Sequence, residues 1–127
     1  MARRADHEGD EQIVLFKWLY FQHREAYEHA FHVPNGGKRS KREGGRFKAQ
    51  GVKPGVPDIF IDLPRGKYHG LRIEFKATPP KDSAVSPGQK EWVERLAKQG
   101  YSAMVCKGFE AAKAAIDEYL SLGEYSQ

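Results

Sequence analysis

The sequence has little of the material that several classes of protein require. Its one cysteine, Cys106, cannot form an intramolecular disulfide, and it lies in an apolar run typical of a buried strand. No stretch reaches the roughly 18 apolar residues of a membrane span, and no apolar segment follows the N-terminal arginines to make a secretory signal. No Gly-x-x-x-x-Gly-Lys-Ser/Thr loop indicates nucleotide hydrolysis. These absences predict a cytoplasmic protein without disulfides or a membrane anchor.

The composition predicts one folded domain with a small core. The 127 residues suit a single domain over residues 1–127. Apolar residues make up 39% and charged residues 30% of the chain, and the mean hydropathy is -0.72. We therefore expect an extensive solvated surface around a modest core.

Two segments alternate apolar and polar residues with a period of two, which predicts β-strands over residues 58–63 and 71–76. Residues 64–70 between them are rich in turn-forming types. We predict an antiparallel hairpin centred near Lys67. Its apolar face would lie against the core, and the residues of that face are Ile59, Ile61, Leu71, Ile73 and Phe75.

The opposite, wetter face of this hairpin would carry two carboxylates and a lysine. In the predicted register Asp58 lies opposite Lys76, and Glu74 is its diagonal neighbour at about 7–8 Å between backbones. Farther along, Asp62 would pair with Arg72. Carboxylate oxygens suit a hard divalent cation that acidifies water and neutralises charge on a phosphate, and a lysine can hold the phosphate or orient the water. The pattern indicates a metal-dependent nuclease, and the alternative is an ordinary ion-paired strand face.

Basic residues are concentrated immediately before this hairpin. The net charge is only +4, yet seven of the 21 lysines and arginines fall between residues 38 and 53, in a glycine-rich stretch. We expect a loop that binds phosphates close to Asp58, although a solvated loop with no ligand is the alternative. The basic residues are Lys38, Arg39, Lys41, Arg42, Arg46, Lys48 and Lys53.

The other segments predict a mixed sheet with helices packed on it, an α/β fold. Dense apolar residues predict a largely buried helix over residues 8–28, although its aromatic residues could instead form a partner surface. A short strand over residues 29–34 contains two histidines without zinc partners, which are expected at the surface or facing phosphate. A helix over 86–99 would cross over to place a strand over 101–106 beside the hairpin, before a last helix over 109–122.

The start of the helix at Ser86 has a capping-box pattern, in which Ser86 caps the helix and Gln89 reaches back to it. Trp92, Val93 and Leu96 would supply its buried stripe. Gln89 therefore has a structural role that competes with any role in an active site.

Taken in order, these motifs resemble the signature of PD-(D/E)XK nucleases, and in particular of the virus-type replication-repair nuclease (VRR-NUC) branch. The central motif is Pro57-Asp58 with Glu74-Phe75-Lys76. The resemblance covers most of the chain and includes residues 32–37, the run Gly51-x-x-x-Gly55-x-Pro57-Asp58, and Ser86-Pro87-Gly88-Gln89. It implies a restriction-endonuclease-like mixed β-sheet flanked by helices.

The resemblance also implies roles for the residues of the motif. Asp58 and Glu74 would ligate Mg²⁺ or Mn²⁺, and the backbone carbonyl of Phe75 would add a further ligand. Lys76 would assist catalysis, and Gln89 would be an accessory residue of the active site.

The N-terminal helix of the family supplies an acidic residue, for which Glu8 and Glu11 are the candidates. The two lie on roughly the same helical face, and Glu8 is favoured because it stands four residues before Gln12. Either could instead be a favourable charge in the first helical turn. Asn35 would join the basic segment in binding nucleic acid.

The function implied by the resemblance is a metal-dependent, structure-selective DNA endonuclease that uses a metal-activated water. Bare-domain members resemble homodimeric Holliday-junction resolvases, so a two-fold dimer acting on four-way junctions is expected. The alternatives are a single-site nuclease for flaps or other branched DNA, and a non-catalytic nucleic-acid-binding module. Because no feature indicates base readout, we expect recognition by shape and phosphate geometry.

Overall fold

The computed structural model describes residues 5–34 and 41–126, with only the backbone described for residues 41–43. The fold combines helices and strands. The elements in this part of the chain are α1 (His7–Gln22), α2 (Arg24–Glu28), β1 (Ala30–His32), α3 (Lys41–Ala49), β2 (Ile59–Ile61), β3 (Leu71–Lys76), α4 (Pro87–Lys98), β4 (Ser102–Lys107) and α5 (Phe109–Leu120). None of these helices is both long enough and apolar enough to cross a membrane.

The four strands form one mixed sheet in the order β1-β2-β3-β4. The first two pairings are antiparallel, and β3 pairs with β4 in parallel. A parallel neighbour requires a crossover connection, and α4 provides it. The predicted α/β class and the predicted crossover are confirmed.

The core lies on one face of this sheet. The apolar residues of β2 and β3 are buried there as predicted, together with Leu15 and Leu19 of α1 and Ile116 of α5. Cys106 is buried in the same cluster, and burial raises the pKa of its thiol to about 11. The cysteine is therefore a core residue without the thiolate character that reactivity needs.

Helix α4 contacts β3 and β4 from the opposite face and contributes no residue to that core cluster. The predicted buried stripe of Trp92, Val93 and Leu96 is wrong, since all three are only half-buried. The helix covers the edge of the sheet, where β4 is the last strand, so solvent reaches the sides of the helix.

The register of the hairpin differs from the prediction by two residues. Ile59 pairs with Ile73 and Phe60 pairs with Arg72, because the chain turns at Gly66, which has a positive φ of 54°, rather than symmetrically about Lys67. Continuing this register sets Asp58 directly opposite Glu74, a closer relation than the predicted diagonal one. The predicted pairing of Asp62 with Arg72 is confirmed by an N···O distance of 3.0 Å.

The first predicted helix is interrupted. His23 has φ of -142° and ψ of 70° and separates α1 from α2, so a single helix over residues 8–28 is wrong. The His23 ring contacts the carboxylate of Asp117 at 2.8 Å and lies edge-on to Trp18. These contacts with α5 and α1 hold the residue outside the helix.

Only part of the apolar surface of α1 is buried. Leu15 and Leu19 are inaccessible to solvent, whereas Ile13 is 56% and Phe21 is 75% exposed. The expectation of a largely buried helix is therefore wrong on one side of α1, and the alternative of a partner surface on that side stays a prediction.

The basic segment is partly helical, contrary to the expected loop, because residues 41–49 form α3. Lysine, arginine and alanine favour helix strongly enough to offset Gly44 and Gly45, each of which costs about 1 kcal/mol relative to alanine. The exposed basic side chains of this stretch are Arg46, Lys48 and Lys53. Asn35, Lys38 and Arg39, and the side chains of Lys41 and Arg42, lie outside the described residues.

Candidate active site

A cavity of about 400 Å³ opens at the end of the sheet, where the layer of α1 meets the layer of α4. It brings together five residues predicted from the sequence and four further residues from different elements. The lining residues are Glu8, His32, Pro34, Gly55, Asp58, Glu74, Lys76, Ser83 and Gln89.

Asp58 is fixed at the start of β2 by both its side chain and its backbone. Its Oδ1 accepts a hydrogen bond from the backbone N–H of Phe75 at 2.7 Å. Its carbonyl accepts from the backbone N–H of Val33 at 2.7 Å. A side-chain hydrogen bond also joins the Asp58 carboxylate to that of Glu74.

The proline before Asp58 has a consequence for the neighbouring strand. Continuing the register from Ile59 and Ile73 sets Pro57 opposite Phe75. Proline has no N–H to donate, so this position supplies no ladder donor to the Phe75 carbonyl. The Phe75 N–H is taken instead by the Asp58 side chain.

The two facing carboxylates are buried, contrary to the expectation of a wet strand face. Asp58 is 8% and Glu74 is 5% exposed. Burial, followed by the charge of Asp58, raises the pKa of Glu74 to about 8. Burial also raises the pKa of Asp58. Without a cation, the pair therefore holds a proton near neutral pH.

Lys76 is held against one wall of the cavity. Its Nζ donates to Gln89 Oε1 at 3.0 Å and to Ser83 Oγ at 3.2 Å. Only 4% of Lys76 is exposed. The ammonium group therefore lies beside the carboxylate pair in a fixed position.

Gln89 completes the predicted capping box and also contacts Lys76. Its Oε1 accepts from the Ser86 backbone N–H at 2.9 Å, and the Ser86 hydroxyl accepts from the Gln89 N–H at 3.1 Å, so the predicted capping box is confirmed. The same Oε1 accepts from Lys76. The start of α4 thus determines where the lysine lies.

The segment before Asp58 packs closely on α4. Gly55 has a φ of 86°, and a Cβ at this position would lie 2.9 Å from the carbonyl carbon of Gly88. The Trp92 indole N–H donates to the Pro54 carbonyl at 3.0 Å. These contacts couple the position of Asp58 to the helix that carries Gln89.

The two acidic candidates of α1 lie in different environments. Glu8 lines the cavity, and burial, followed by the charge of Asp58, raises its pKa. Glu11 does not line the cavity. Its carboxylate accepts from the Thr78 N–H at 2.7 Å, the Thr78 hydroxyl at 2.5 Å and the Phe109 N–H at 3.1 Å. Burial alone would raise the pKa of Glu11, but these hydrogen bonds lower it.

The donors in the cavity fit a hard divalent cation that retains water. Among residues 5–34 and 41–126, no group of three or more histidine, cysteine, aspartate and glutamate side chains is arranged to hold a metal ion. Asp58 and Glu74 supply two carboxylates, which matches the preference of Mg²⁺ for one or two carboxylates and several waters. A divalent cation would also compensate the negative charge of the two buried carboxylates.

Four lining residues are not among those predicted for the site, namely His32, Pro34, Gly55 and Ser83. The sequence predicts His32 at the surface or facing phosphate, and Pro34 and Gly55 lie in the motifs that carry the family resemblance. The sequence signal for His32 was its place directly before Val33-Pro34, in the segment leading toward the cavity. No signal marked Ser83, which reaches Lys76 only through the course of residues 78–86.

A mixed sheet with facing carboxylates and a lysine at its end is the arrangement of a nuclease domain. The VRR-NUC domain model matches residues 6–110. The chain is similar to a solved structure described as a VRR_NUC domain protein, with 37% identity and a TM-score of 0.83, over 98% of this chain and 96% of that one. Comparison with curated proteins gave no match. The chain belongs to the VRR-NUC domain family.

Proposed function

We propose that the protein is a metal-dependent, structure-selective DNA endonuclease in which Asp58, Glu74 and Lys76 cleave the phosphodiester. The observation that carries this proposal is the burial of two directly opposed carboxylates beside a fixed ammonium group. Burying like charges is costly unless a proton or cation compensates them. A structural ion pair would need only one carboxylate.

Asp58 and Glu74, with the carbonyl of Phe75, would hold Mg²⁺ or Mn²⁺. When bound, such a cation acidifies a water and neutralises charge developing on the phosphate. Lys76 contributes a positive charge that is already oriented by Gln89, so little reorganisation is needed when a phosphate enters. Glu8 adds an acceptor on the α1 side of the cavity.

Basic side chains before Asp58 would bind the DNA backbone. Arg46 and Lys48 lie on α3, Lys53 follows it, and all three are exposed. Residues 50–57 connect α3 to the cavity, so a strand of DNA held along this segment would have a phosphate near the carboxylates. Contacts of this kind give affinity that falls with salt and does not depend on base sequence.

An apolar surface on α1 and α2, here called the α1 face, supports a homodimer. It consists of Ile13, Val14, Tyr20, Phe21 and Tyr27, all more than a third exposed. A groove of about 260 Å³ is lined by all of these except Val14. Exposed apolar patches of this kind mark interaction sites. A second copy bound here would bring together two α1 helices, each with Glu8 in its own cavity, and such a two-fold assembly matches a four-way junction.

The substrate is tested by incubating end-labelled four-way junction, flap and plain duplex with the protein in Mg²⁺, Mn²⁺ or chelator. We expect paired, symmetrically placed nicks in the junction that require metal. Cleavage confined to the flap would replace the junction resolvase with a single-site nuclease. Tight binding without cleavage of any substrate would contradict the catalytic proposal.

A further inference from the structure

His32 is a wall residue of the cavity that the carboxylates and the lysine leave without a role. It ends β1, where it pairs with Ile59, and its ring is accessible to solvent. Its Nδ1 lies 3.0 Å from the carbonyl oxygen of Asp58. The ring thus contacts the backbone of a proposed metal ligand and also faces the space where a substrate would bind.

This contact fixes the tautomer of the ring. A carbonyl oxygen can only accept, so Nδ1 must carry the hydrogen, and in a neutral imidazole Nε2 then presents a lone pair. Within the described part of the chain, the ring makes no second hydrogen bond to protein. With respect to the residues that the structure describes, the Nε2 of His32 is therefore an oriented acceptor that a water molecule can reach.

The sheet places this acceptor opposite the lysine. His32 shares a face with Ile59, and that face is covered by α1. Lys76 points to the other face, where its ammonium group meets Gln89 of α4. The carboxylate pair lines the same cavity as both of these residues, with an acceptor on the α1 side and a cation on the α4 side.

We propose that His32 is a catalytic residue whose Nε2 accepts a hydrogen bond from the attacking water and orients that water toward phosphorus. This role rests on the proposed nuclease function. Directing one O–H of the water to Nε2 limits its rotation, and Lys76 meanwhile faces the charge on the phosphate. No proton transfer to the ring is required, since the contribution is orientation of the reacting water.

The test uses substitutions that distinguish the contribution of Nδ1 of His32 from that of Nε2. In His32→Asn the amide can keep the contact with the Asp58 carbonyl but has nothing at the position of Nε2. In His32→Gln the longer side chain can supply an acceptor near that position. His29→Asn is the matched control, because the His29 Nδ1 also contacts a backbone carbonyl, that of Glu25, at 2.9 Å, and His29 does not line the cavity.

We expect His32→Asn to lower kcat on branched DNA about 100-fold, the order of loss that follows misplacement of a reacting group. KM for DNA and Mn²⁺ affinity by calorimetry should stay within about twofold, because the proposed contact is to the reacting water and makes no ground-state contact with DNA or metal. His32→Gln should retain more activity than His32→Asn, and His29→Asn should match wild type. For His32→Ala, added imidazole should restore part of the rate.

Three results would overturn the proposal. A wild-type cleavage rate in His32→Asn would exclude the proposed catalytic role of His32 and would leave the proposed nuclease function intact. Loss of Mn²⁺ binding in His32→Asn would instead make the residue a metal ligand or a support for Asp58, and absence of rescue by imidazole or glutamine would exclude the water contact. A wild-type protein that cleaves no DNA would remove the nuclease function itself.

Discussion

At the scale of single residues, two glutamates three positions apart in α1 are proposed to have separate roles. Glu8 borders the cavity, whereas Glu11 accepts three hydrogen bonds that join α1 to Thr78 and to the start of α5. Sequence spacing alone puts both on one helical face. Their surroundings differ because only the first reaches the end of the sheet.

Neutral substitutions of these glutamates should therefore have opposite effects. Glu11→Gln replaces a carboxylate that accepts three hydrogen bonds, and we expect a loss of about 1–3 kcal/mol in the free energy of unfolding. Glu8→Gln should leave stability unchanged and lower the cleavage rate. Urea denaturation and a cleavage assay on both variants check this, and a stability loss confined to Glu8→Gln would contradict the assignment.

The pKa of Glu74 predicts a dependence on pH. It is about 8 in the folded chain against an ordinary value of 4.5, so between these pH values the folded state binds more protons than the unfolded state. The stability of the metal-free protein should therefore fall as pH rises from about 4.5 to about 8. Over the upper part of that range, Mg²⁺ should bind more tightly, because it displaces the proton.

Thermal melts in chelator and calorimetric Mg²⁺ titrations at pH 6, 7 and 8 measure both effects. Glu74→Gln is the control and should flatten the pH dependence of each. Mg²⁺ affinity independent of pH in the wild-type protein would contradict the buried, proton-sharing pair.

At the scale of secondary-structure elements, the site depends on close packing between the segment before β2 and the start of α4. Gly55→Ala would bring a Cβ to 2.9 Å from Gly88 in a backbone conformation with φ of 86°. Gly51→Ala has a comparable φ of 97° but no atom within 4 Å of the added Cβ. The difference between these variants isolates the packing contact.

We expect Gly51→Ala to lower the free energy of unfolding by about 1–2 kcal/mol, because of the backbone conformation alone. Gly55→Ala should cost about 1–3 kcal/mol more, because the added methyl group overpacks the contact, and it should also lower the cleavage rate. Chemical denaturation measures the first effect. Equal losses in the free energy of unfolding for the two variants would show that the contact with α4 does not contribute to stability.

The secondary-structure elements differ in how well the sequence predicts them. The strands after Pro57 and Gly70 were predictable because they alternate with a period of two. Their register was not, because it depends on Gly66 as the point at which the chain turns. Helix α3 could not be predicted because its glycines disfavour helix.

The same contrast applies to the site. Asp58 and Glu74 could be placed together from strand pairing alone, since the two strands are adjacent in the chain. His32 and Ser83 reach the cavity from β1 and from residues 78–86, through tertiary contacts that leave no periodic signal. Burial of the carboxylates likewise depends on what covers them and could not be inferred from the hairpin.

At the scale of the whole molecule, the α1 face predicts self-association. Phe21 is 75% exposed on this face, so Phe21→Glu would place a charge within the proposed interface. We expect the wild-type protein to be a dimer by light scattering and the variant to be a monomer. Because symmetric cleavage needs two sites, the variant should also lose paired junction nicks.

Leu122→Glu is the matched control, since Leu122 is 46% exposed and lies outside the α1 face. It should remain dimeric. A wild-type monomer at micromolar concentration that still makes paired nicks would contradict the dimer.

The proposed role of the opposed carboxylates in DNA cleavage is tested by single-turnover cleavage of a labelled four-way junction in Mg²⁺. Wild type should be compared with Glu74→Gln and with Glu94→Gln, an exposed glutamate on α4. We predict that Glu74→Gln binds the junction as well as wild type but cleaves at least about 100-fold more slowly, and that Glu94→Gln is unaffected. Cleavage by Glu74→Gln at the wild-type rate would contradict the claim.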